Sequence, residues 1–285
     1  MGCLMEYSVL VPVYNEEQAL EETLKIIKEV MNTLNNLNEI IAINDGSKDR
    51  SFSVLSKISD ISVINNPYNL GYGASLKKGL LQAKGKYIII TDADGTYPFT
   101  AIPQMVSFLK EYDMVVGARK QTKNIPLMRR PAKAMLSFLA NILAGRKIPD
   151  LNSGLRVFKK DMALQFMNLY PNGFSFTTTI TLAAMTNGFT VKYIPIPYFK
   201  RKGKSSISPA RDFIGFILLI VRIMTYFDPL KFFLLPGLFL MLAGFGYGVF
   251  QYIVIDNLAE LPIILILAGL QLCFLGLLAD LVKKR

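Results

Sequence analysis

Two long uncharged runs near the C-terminus limit the fold of this 285-residue chain more than any other feature of its sequence. Residues 232–255 are 24 consecutive residues without a charge, and residues 261–279 are a further 19. Each run exceeds the roughly 18 residues that mark a candidate membrane-spanning helix. The alternative is a pair of buried core helices, but consecutive core helices rarely lack charge on every face. The sequence therefore predicts a two-helix membrane anchor, with spans at about 232–255 and 261–282.

The charges around these runs predict their orientation. Residues 256–260, between the runs, contain no Lys or Arg, whereas seven basic residues lie between Lys200 and Lys231 and three more at positions 283–285. The positive-inside rule then places the domain before the spans and both termini in the cytoplasm. The N-terminus leads directly into a predicted strand without a signal peptide. We expect a cell-membrane protein with a cytoplasmic domain at residues 1–207, an interfacial helix at 208–230 and a transmembrane hairpin at 231–285.

The first 207 residues predict an α/β fold. Short apolar runs alternate with amphipathic segments, which indicates a mostly parallel sheet in three layers. The predicted strands are residues 8–13, 39–43, 61–64, 87–91, 114–117 and 190–194. The predicted helices are residues 16–34, 47–58, 73–83, 102–110, 126–144 and 177–187. Ser47 is the predicted N-cap of the second helix.

Composition excludes several kinds of chemistry. The chain has no His, which excludes Ser-His triads, His acid–base catalysis and His metal ligands. Its two cysteines, Cys3 and Cys273, form no plausible disulfide framework or zinc site. The net charge of +11 is compatible with nucleic acid, but the basic residues crowd near the predicted membrane anchor, which favours anionic lipid head groups. We therefore expect a bilayer and no nucleic acid as partner.

Polar clusters follow four of the predicted strands. Parallel strands end at one rim of a sheet, so these clusters should converge where open α/β sheets bind ligands. Each cluster alone also fits a turn or a helix start. The clusters are Pro12-Val13-Tyr14-Asn15-Glu16-Glu17, Asn44-Asp45-Gly46-Ser47-Lys48-Asp49, Asn69-Leu70-Gly71-Tyr72-Gly73-Ala74 and Asp92-Ala93-Asp94-Gly95.

The last cluster suggests a metal site. Asp92 and Asp94 follow the apolar run 87–90 at a Gly/Pro turn. Hard cations such as Mg²⁺ are usually held by one or two carboxylates together with substrate phosphates. The sequence therefore predicts a metal–diphosphate site at this turn. It leaves open the role of Thr96, two residues beyond Asp94.

These four motifs, in this order, resemble those of the family-2 glycosyltransferases, which have the GT-A fold. Three further motifs resemble the polyprenyl-phosphate branch, typified by dolichol-phosphate mannose synthases. They are Gly117-Ala118-Arg119, Asp150-Leu151-Asn152-Ser153-Gly154-Leu155-Arg156 and Arg201-Lys202-Gly203-Lys204-Ser205. The resemblance covers roughly residues 7–215.

The resemblance implies a role for each motif. Asp92 and Asp94 would manage Mg²⁺ or Mn²⁺ and the diphosphate, and Arg201 would lie on a loop over that diphosphate; these three are the expected catalytic residues. The expected nucleotide-sugar site comprises Pro12, Tyr14, Asn15, Glu16, Glu17, Asp45, Gly46, Ser47, Asn69, Gly73, Asp92 and Ala93. The expected lipid-phosphate site comprises Arg119, Arg129, Arg130 and Ser205. Substrate positioning would fall to Asp150, Asn152, Ser153, Gly154 and Arg156.

The expected reaction is metal-dependent transfer of a hexose, with inversion, from a nucleotide-sugar of the GDP-mannose or UDP-glucose type to a polyprenyl monophosphate. A divalent ion would neutralise the leaving diphosphate as Lewis acid and template, and Arg201 could clamp it. The second pKa of a phosphate monoester is about 6. The lipid phosphate is therefore an anionic nucleophile at neutral pH, which fits a chain without His.

Other functions remain open at the level of sequence. A processive polysaccharide synthase would carry a Gln-x-x-Arg-Trp motif, but the chain has no Trp. A nucleotidyltransferase would need a basic Gly-rich loop after the first strand. A glycosyltransferase with a saccharide or other lipid acceptor and a non-catalytic membrane scaffold both remain alternatives. The sequence does not choose the sugar, dolichol or undecaprenol, Mg²⁺ or Mn²⁺, or the oligomeric state, a homo-oligomer included.

Overall fold

The computed structural model describes residues 5–34, 37–120, 140–142, 144–173, 175–201, 221–222, 225–255 and 260–283. The chain forms two compact units, Met1–Asp212 and Phe213–Arg285. The predicted interfacial helix at 208–230 falls largely outside the described residues, so its place between domain and hairpin stays a prediction.

The first unit contains a seven-stranded sheet in the order β3-β2-β1-β4-β6-β5-β7. Every neighbouring pair is parallel except the two pairs made by β6, which runs antiparallel between β4 and β5. The sheet confirms the predicted α/β fold class. The strands are β1 Tyr7–Val13, β2 Asn38–Asn44, β3 Ser62–Asn65, β4 Tyr87–Ile90, β5 Met114–Arg119, β6 Arg156–Lys159 and β7 Val191–Ile196.

Helices cover both faces of the sheet. They are α1 Leu20–Asn32, α2 Ser51–Leu55, α3 Tyr72–Gln82, α4 Ile102–Ser107, α5 Lys160–Leu164 and α6 Phe176–Thr186. In α1 the buried residues recur at helical spacing, among them Leu20, Leu24, Ile27 and Met31. They join one core cluster with the alternate residues of β1. On the opposite face, α3 lies so close to the sheet that a Cβ on Gly79 would be 3.1 Å from Ile43 Cδ1.

Several predicted elements differ from the structure. Strand β6 was not predicted, because it is only four residues long and begins at the last residue of a polar motif, so it gives little periodicity. The helix predicted at 47–58 begins at Ser51, and Ser47 does not cap it. The Ser47 hydroxyl instead accepts a hydrogen bond from the backbone N–H of Asn15, at 3.1 Å. The long helix predicted at 126–144 lies mostly outside the described residues.

The second unit contains two contacting helices, α7 Pro229–Ile255 and α8 Glu260–Lys283. Segments of 26 and 23 residues within them are long and apolar enough to cross a membrane. Small residues set their close approach. A Cβ added to Gly237 would lie 2.8 Å from the carbonyl oxygen of Gly269, and one added to Gly244 would lie 2.9 Å from that of Pro262. Gly244 and Gly248 stand at a Gly-x-x-x-Gly spacing, and Gly244 lies at this contact between the helices.

Candidate active site

The acidic residues meet at the point where the strand order of the sheet reverses. The chain moves outward from β1 to β2 and β3, then returns to place β4 against the other side of β1. Ligands bind outside the carboxyl ends of strands at such a switch point. Glu16 follows β1 here, and Asp92 and Asp94 follow β4. The structure therefore brings together two of the clusters that sequence analysis predicted to converge.

These three carboxylates share a poorly solvated site. Glu16 and Asp94 are buried, with 9% and 6% of their surface exposed. Burial, followed by the charge of Asp94, raises the pKa of Asp92 to about 6. Burial raises the pKa of Glu16 to about 7; Arg201 opposes this shift, and the charges of Asp94 and Asp92 add to it. The three carboxylates thus carry more negative charge than Arg201 neutralises.

Neighbouring groups fix both aspartates. The hydroxyl and backbone N–H of Thr96 donate hydrogen bonds to Asp94 Oδ1, at 2.6 and 3.1 Å. The hydroxyl of Tyr72 donates to Asp92 Oδ1 at 3.2 Å. The backbone of Gly154 passes so close that an added Cβ would lie 2.5 Å from Asp92 Oδ2. Thr96, whose role the sequence left open, therefore orients Asp94.

A divalent cation fits this donor set. Carboxylate oxygens are the ligands that Mg²⁺ and Mn²⁺ prefer, and a bound cation would relieve the repulsion that adds to burial in raising the pKa values of Asp92 and Glu16. Within the described part of the chain, no group of three or more Asp, Glu, His or Cys side chains is placed to hold a metal. Asp92 and Asp94 would therefore hold the ion together with phosphate oxygens and water, as Mg²⁺ sites usually do.

Arg201 lies over the same carboxylates. Its Nη2 contacts Glu16 Oε1 directly, and its Nε lies 3.6 Å from Asp94 Oδ2. This Nε is buried and makes no hydrogen bond within the described residues. The predicted diphosphate clamp is thus placed beside the predicted metal ligands, with one buried donor still unused.

The loops after β1 and β2 lock onto each other. The backbone N–H of Lys48 donates to Asn15 Oδ1 at 2.8 Å, and that of Arg50 donates to Glu17 Oε2 at 2.9 Å. The backbone N–H of Glu17 donates in return to Asp49 Oδ2 at 3.1 Å. Asn15 adopts a left-handed backbone with φ of 56°. The side chains of Asn15 and Glu17, both predicted nucleotide ligands, therefore bind protein backbone here.

Asp45 plays a similar part for the loop before α3. Its carboxylate accepts hydrogen bonds from the backbone N–H groups of Leu70 and Gly71 and from Asn66 Nδ2, each at 2.9 Å. Asp45 is buried, with 3% of its surface exposed. The structure therefore places this predicted nucleotide ligand beneath the binding surface, where it shapes the loop that carries Asn69.

Two of the predicted glycines permit close backbone contacts. Gly46 has φ of +65°, and an added Cβ would lie 2.4 Å from the carbonyl carbon of Tyr68. At Gly73 an added Cβ would lie 2.1 Å from the carbonyl oxygen of Pro171. Ala93 is buried in the apolar core below the Asp turn, and Pro12 pairs with Ile43 inside the sheet.

A cleft of about 510 Å³ opens beside these loops, at the ends of β2 and β3. A volume of this size suits a small-molecule site. Four residues predicted to bind the nucleotide line it: Tyr14, Gly46, Ser47 and Asn69. Sequence analysis missed other lining residues, among them Phe52, Asn65, Asn66 and Tyr68. Asn65 and Asn66 end and follow β3, so the rule that strand ends carry ligands could have found them.

The motif at residues 150–156 supports the acidic site from the other side. Asp150 accepts from Arg119 Nε and Nη2, at 2.7 and 2.9 Å. This fork fixes Arg119 at the end of β5 and leaves only Nη1 outside the pair. The Ser153 hydroxyl donates to the Gly117 carbonyl at 2.6 Å, and Thr178 Oγ1 donates to Asn152 Oδ1 at 2.6 Å. The motif is therefore held between β5 and α6.

Arg156 lies deeper than its predicted positioning role suggested. It is completely buried, and its guanidinium donates to the carbonyl oxygens of Ser153 and Thr177. It acts on the site by holding the residues before Gly154 against α6. The predicted lipid-phosphate ligands Arg129, Arg130 and Ser205 lie outside the described residues.

Two family models match this chain. The model of glycosyl transferase family 2 matches residues 8–166, a little more than half of the chain. The model of the GtrB C-terminal hairpin matches residues 228–284.

Curated relatives include two proteins of Haloferax volcanii. The dolichyl-phosphate hexose transferase is 27% identical over 207 residues, which cover 72% of this chain and 87% of the relative. The low-salt glycan biosynthesis hexosyltransferase is 26% identical over 212 residues, 72% of this chain but only 50% of the relative. This chain thus spans about half the length of the second relative. The undecaprenyl-phosphate 4-deoxy-4-formamido-L-arabinose transferase of Klebsiella pneumoniae is 28% identical over 247 residues. These residues cover 85% of this chain and 74% of the relative.

Among solved structures, glucosyl-3-phosphoglycerate synthase of Mycobacterium tuberculosis, in complex with Mn²⁺, UDP-glucose and phosphoglyceric acid, superposes with a TM-score of 0.60. The identity is 17%, and the match covers 78% of this chain and 79% of the synthase. A complex of the same synthase with Mg²⁺ and UDP gives a TM-score of 0.57 at 16% identity. The match covers 78% of this chain and 79% of the synthase. At this identity the likeness shows a shared fold.

Proposed function

Since this chain belongs to glycosyl transferase family 2 and has the GT-A fold, we propose that it transfers a hexose from a nucleotide-sugar to a polyprenyl monophosphate. The observation that carries the proposal is the convergence of Glu16, Asp92, Asp94 and Arg201 at the switch point of the sheet. The match to the GtrB hairpin and the relatives named for dolichyl- and undecaprenyl-phosphate support a lipid acceptor.

The acidic site handles the leaving diphosphate. Asp92 and Asp94 would hold Mg²⁺ or Mn²⁺, which supplies charge neutralisation to the departing nucleoside diphosphate. Structural relatives crystallised with either ion support this choice. Arg201 would donate its buried, unused Nε–H to the diphosphate, while its Nη2 contacts Glu16. Thr96 and Gly154 keep the two aspartates in position throughout.

The acceptor needs little help from a base. A lipid monophosphate is already an anion at neutral pH, so it attacks the anomeric carbon without giving up a proton in the same step. Attack opposite to the leaving diphosphate inverts the anomeric centre. Arg119, held by Asp150, offers Nη1 to the incoming phosphate, and Arg129, Arg130 and Ser205 complete the proposed lipid-phosphate site.

The membrane hairpin delivers this acceptor. We place the transferase domain and both termini in the cytoplasm and the short acidic loop at 256–260 outside, because the flanking basic residues follow the positive-inside rule. The bilayer and the nucleotide-sugar are thus the two sources of substrate, and the product is a lipid-linked sugar for glycan assembly.

A radiolabel assay tests the proposal. Full-length protein in detergent, given a panel of nucleotide-sugars, Mn²⁺ and a short polyprenyl phosphate, should move label into the organic phase. Asp94→Ala should reduce this transfer by at least about 100-fold, since it removes charge stabilisation of the leaving group. Asp161→Ala makes the same change at an exposed position in the first turn of α5, so it is the matched control and should retain activity. Label found only in water-soluble product, or full transfer in EDTA, would contradict the proposal.

A further inference from the structure

The guanidinium of Arg119 is held on an edge and on a face. Asp150 accepts from its Nε and Nη2, at 2.7 and 2.9 Å, and so occupies one edge. The ring of Tyr198 lies against a face, with 5.2 Å between Arg119 Cζ and the ring centroid. A cation within about 6 Å of an aromatic ring centroid is attracted to the face of that ring. Among the described contacts, the edge that carries Nη1 is left for a ligand.

The ring of Tyr198 adds a restraint that the pair with Asp150 does not give. Hydrogen bonds to a carboxylate accept a broad range of directions, so a guanidinium held by two of them can still tilt out of the carboxylate plane. A flat ring against the guanidinium face limits that tilt. The carboxylate of Asp150 also offsets the charge of Arg119. The affinity of Arg119 for an anion therefore depends on where Nη1 points.

Tyr198 is itself held firmly. Its ring is half-buried against the core and meets the ring of Tyr97 edge-on, at 5.4 Å between centroids and an angle of 68°. The Tyr97 hydroxyl accepts from the backbone N–H of Gly154 at 2.7 Å. The backbone N–H of Phe199 donates to the carbonyl oxygen of Thr96 at 2.9 Å. Ring and backbone are thus both fixed to the turn that follows β4.

The same short segment serves two arginines. Tyr198 follows β7 and precedes Arg201 by three residues. At one end of the segment 198–201 the tyrosine ring supports Arg119, and at the other end Arg201 contacts Glu16 and lies 3.6 Å from Asp94. The arginine proposed for the acceptor and the arginine proposed for the leaving diphosphate therefore share one support.

We propose that Tyr198 is a positioning residue for the acceptor, whose ring holds Arg119 with Nη1 directed at the incoming lipid phosphate. The inference rests on the proposed function, because it concerns the acceptor of that reaction. The ring face makes the contact, so phenylalanine should replace tyrosine here without loss. Tyr198 belongs to none of the motifs found in the sequence, and its contact with Arg119 joins the ends of β5 and β7 across the sheet.

Binding of farnesyl phosphate, a short polyprenyl monophosphate, tests the inference without a sugar donor. Calorimetry on the full-length protein in detergent with Mn²⁺ measures the dissociation constant. Tyr198→Leu keeps an apolar side chain but removes the ring, so it should weaken binding about fivefold, the effect expected of one cation–ring contact. Tyr198→Phe should bind within about twofold of the unaltered protein.

Tyr112→Leu is the matched control. Tyr112 is also half-buried and has a cation over its ring, with Lys192 Nζ 4.9 Å from the centroid. It precedes β5, whereas Arg119 ends that strand, so the same change falls at the opposite edge of the sheet. Farnesyl phosphate should bind this variant as it binds the unaltered protein.

A double-mutant cycle separates positioning from a general structural effect. Arg119→Lys replaces the planar fork by a single ammonium group. If Tyr198 acts through Arg119, adding Tyr198→Leu to this variant should weaken farnesyl phosphate binding by less than about twofold more. The affinity of the Tyr198→Leu variant for Mn²⁺ should equal that of the unaltered protein, because its carboxylates stay in place.

Three results would overturn the inference: unchanged binding in a folded Tyr198→Leu variant, equal losses for Tyr198→Leu with and without Arg119→Lys, or a Tyr198→Phe variant as weak as Tyr198→Leu. Transfer of label to the lipid would continue in each case, so the proposed function would stand. Failure of the unaltered protein to bind farnesyl phosphate would also overturn the inference. If no donor then supported transfer either, the proposed function would be lost with it.

Discussion

At the scale of single residues, the three carboxylates of the site differ in the groups that hold them. Asp94 receives two hydrogen bonds from Thr96, whereas Asp92 receives one from Tyr72 and faces the backbone of Gly154. Glu16 is held by Arg201. Desolvation and mutual repulsion raise the pKa of Asp92 and of Glu16, as is common for carboxylates at a functional site.

These shifts predict how metal binding depends on pH. The pKa values of Asp92 and Glu16 in the folded protein, about 6 and about 7, lie above the ordinary values of 3.8 and 4.5. Between pH 4 and 7 the folded state therefore holds more protons than the unfolded state, and metal-free stability falls as pH rises. A cation competes with those protons, so Mn²⁺ should bind more weakly below pH 7, by up to about tenfold per pH unit for each proton displaced.

Calorimetric titration of Mn²⁺ from pH 5 to pH 8 measures this dependence. Glu16→Gln removes the group whose pKa is about 7, so its profile should move towards the pKa of Asp92, about 6. An Mn²⁺ affinity that stays constant over the whole range would show that protons and metal do not share these carboxylates.

At the scale of elements, β6 brings the motif at residues 150–156 next to the Asp92 turn, although the two are far apart in the sequence. It pairs antiparallel with β4 and β5, so the residues just before it reach the carboxyl end of β4. Gly154 thereby meets Asp92, and Arg156 holds the carbonyls of Ser153 and Thr177. The motif predicted to position the substrate therefore also limits where the Asp92 carboxylate can lie.

Gly154→Ala tests this contact. The added methyl group would lie 2.5 Å from Asp92 Oδ2, so the carboxylate must move. Because outer residues that orient ligands affect activity strongly, we expect hexosyl transfer to fall about 10- to 100-fold. Steady-state rates at several Mn²⁺ concentrations would measure the loss and show whether added metal recovers part of it.

Gly173→Ala is the matched control, because an added Cβ at that position would have nothing within 4 Å. Its activity should stay close to that of the unaltered protein. Equal rates for the two alanine variants would mean that Gly154 does not govern the position of Asp92.

At the scale of the whole molecule, a sheet that builds a charged site is combined with two apolar helices. Each helix exposes most of its apolar side chains, Phe245, Ile253, Leu278 and Val282 among them. Exposure of this extent suits a lipid environment rather than a soluble core. Glycines at the contact between the helices allow their backbones to approach, as expected where packing rather than hydrophobic burial joins helices.

Cysteine labelling tests the proposed orientation in intact cells. In a variant without Cys3 and Cys273, Asn257→Cys should react with a membrane-impermeant maleimide from outside. Ser53→Cys, at an exposed position of α2, should react only after lysis. Labelling of Ser53→Cys in intact cells would place the transferase domain outside and reverse the orientation.

The sequence by itself determined the class of the fold, the hairpin and the turn that carries Asp92 and Asp94. These follow from local signals: apolar runs of defined length, alternating strand and helix patterns, and polar residues at strand ends. Only the tertiary structure decided which polar side chains are held by other parts of the chain and which line the cleft. Asn15, Glu17 and Asp45 bind backbone, and Asn65 lines the cleft, because contacts between loops far apart in the chain use some polar groups and leave others free.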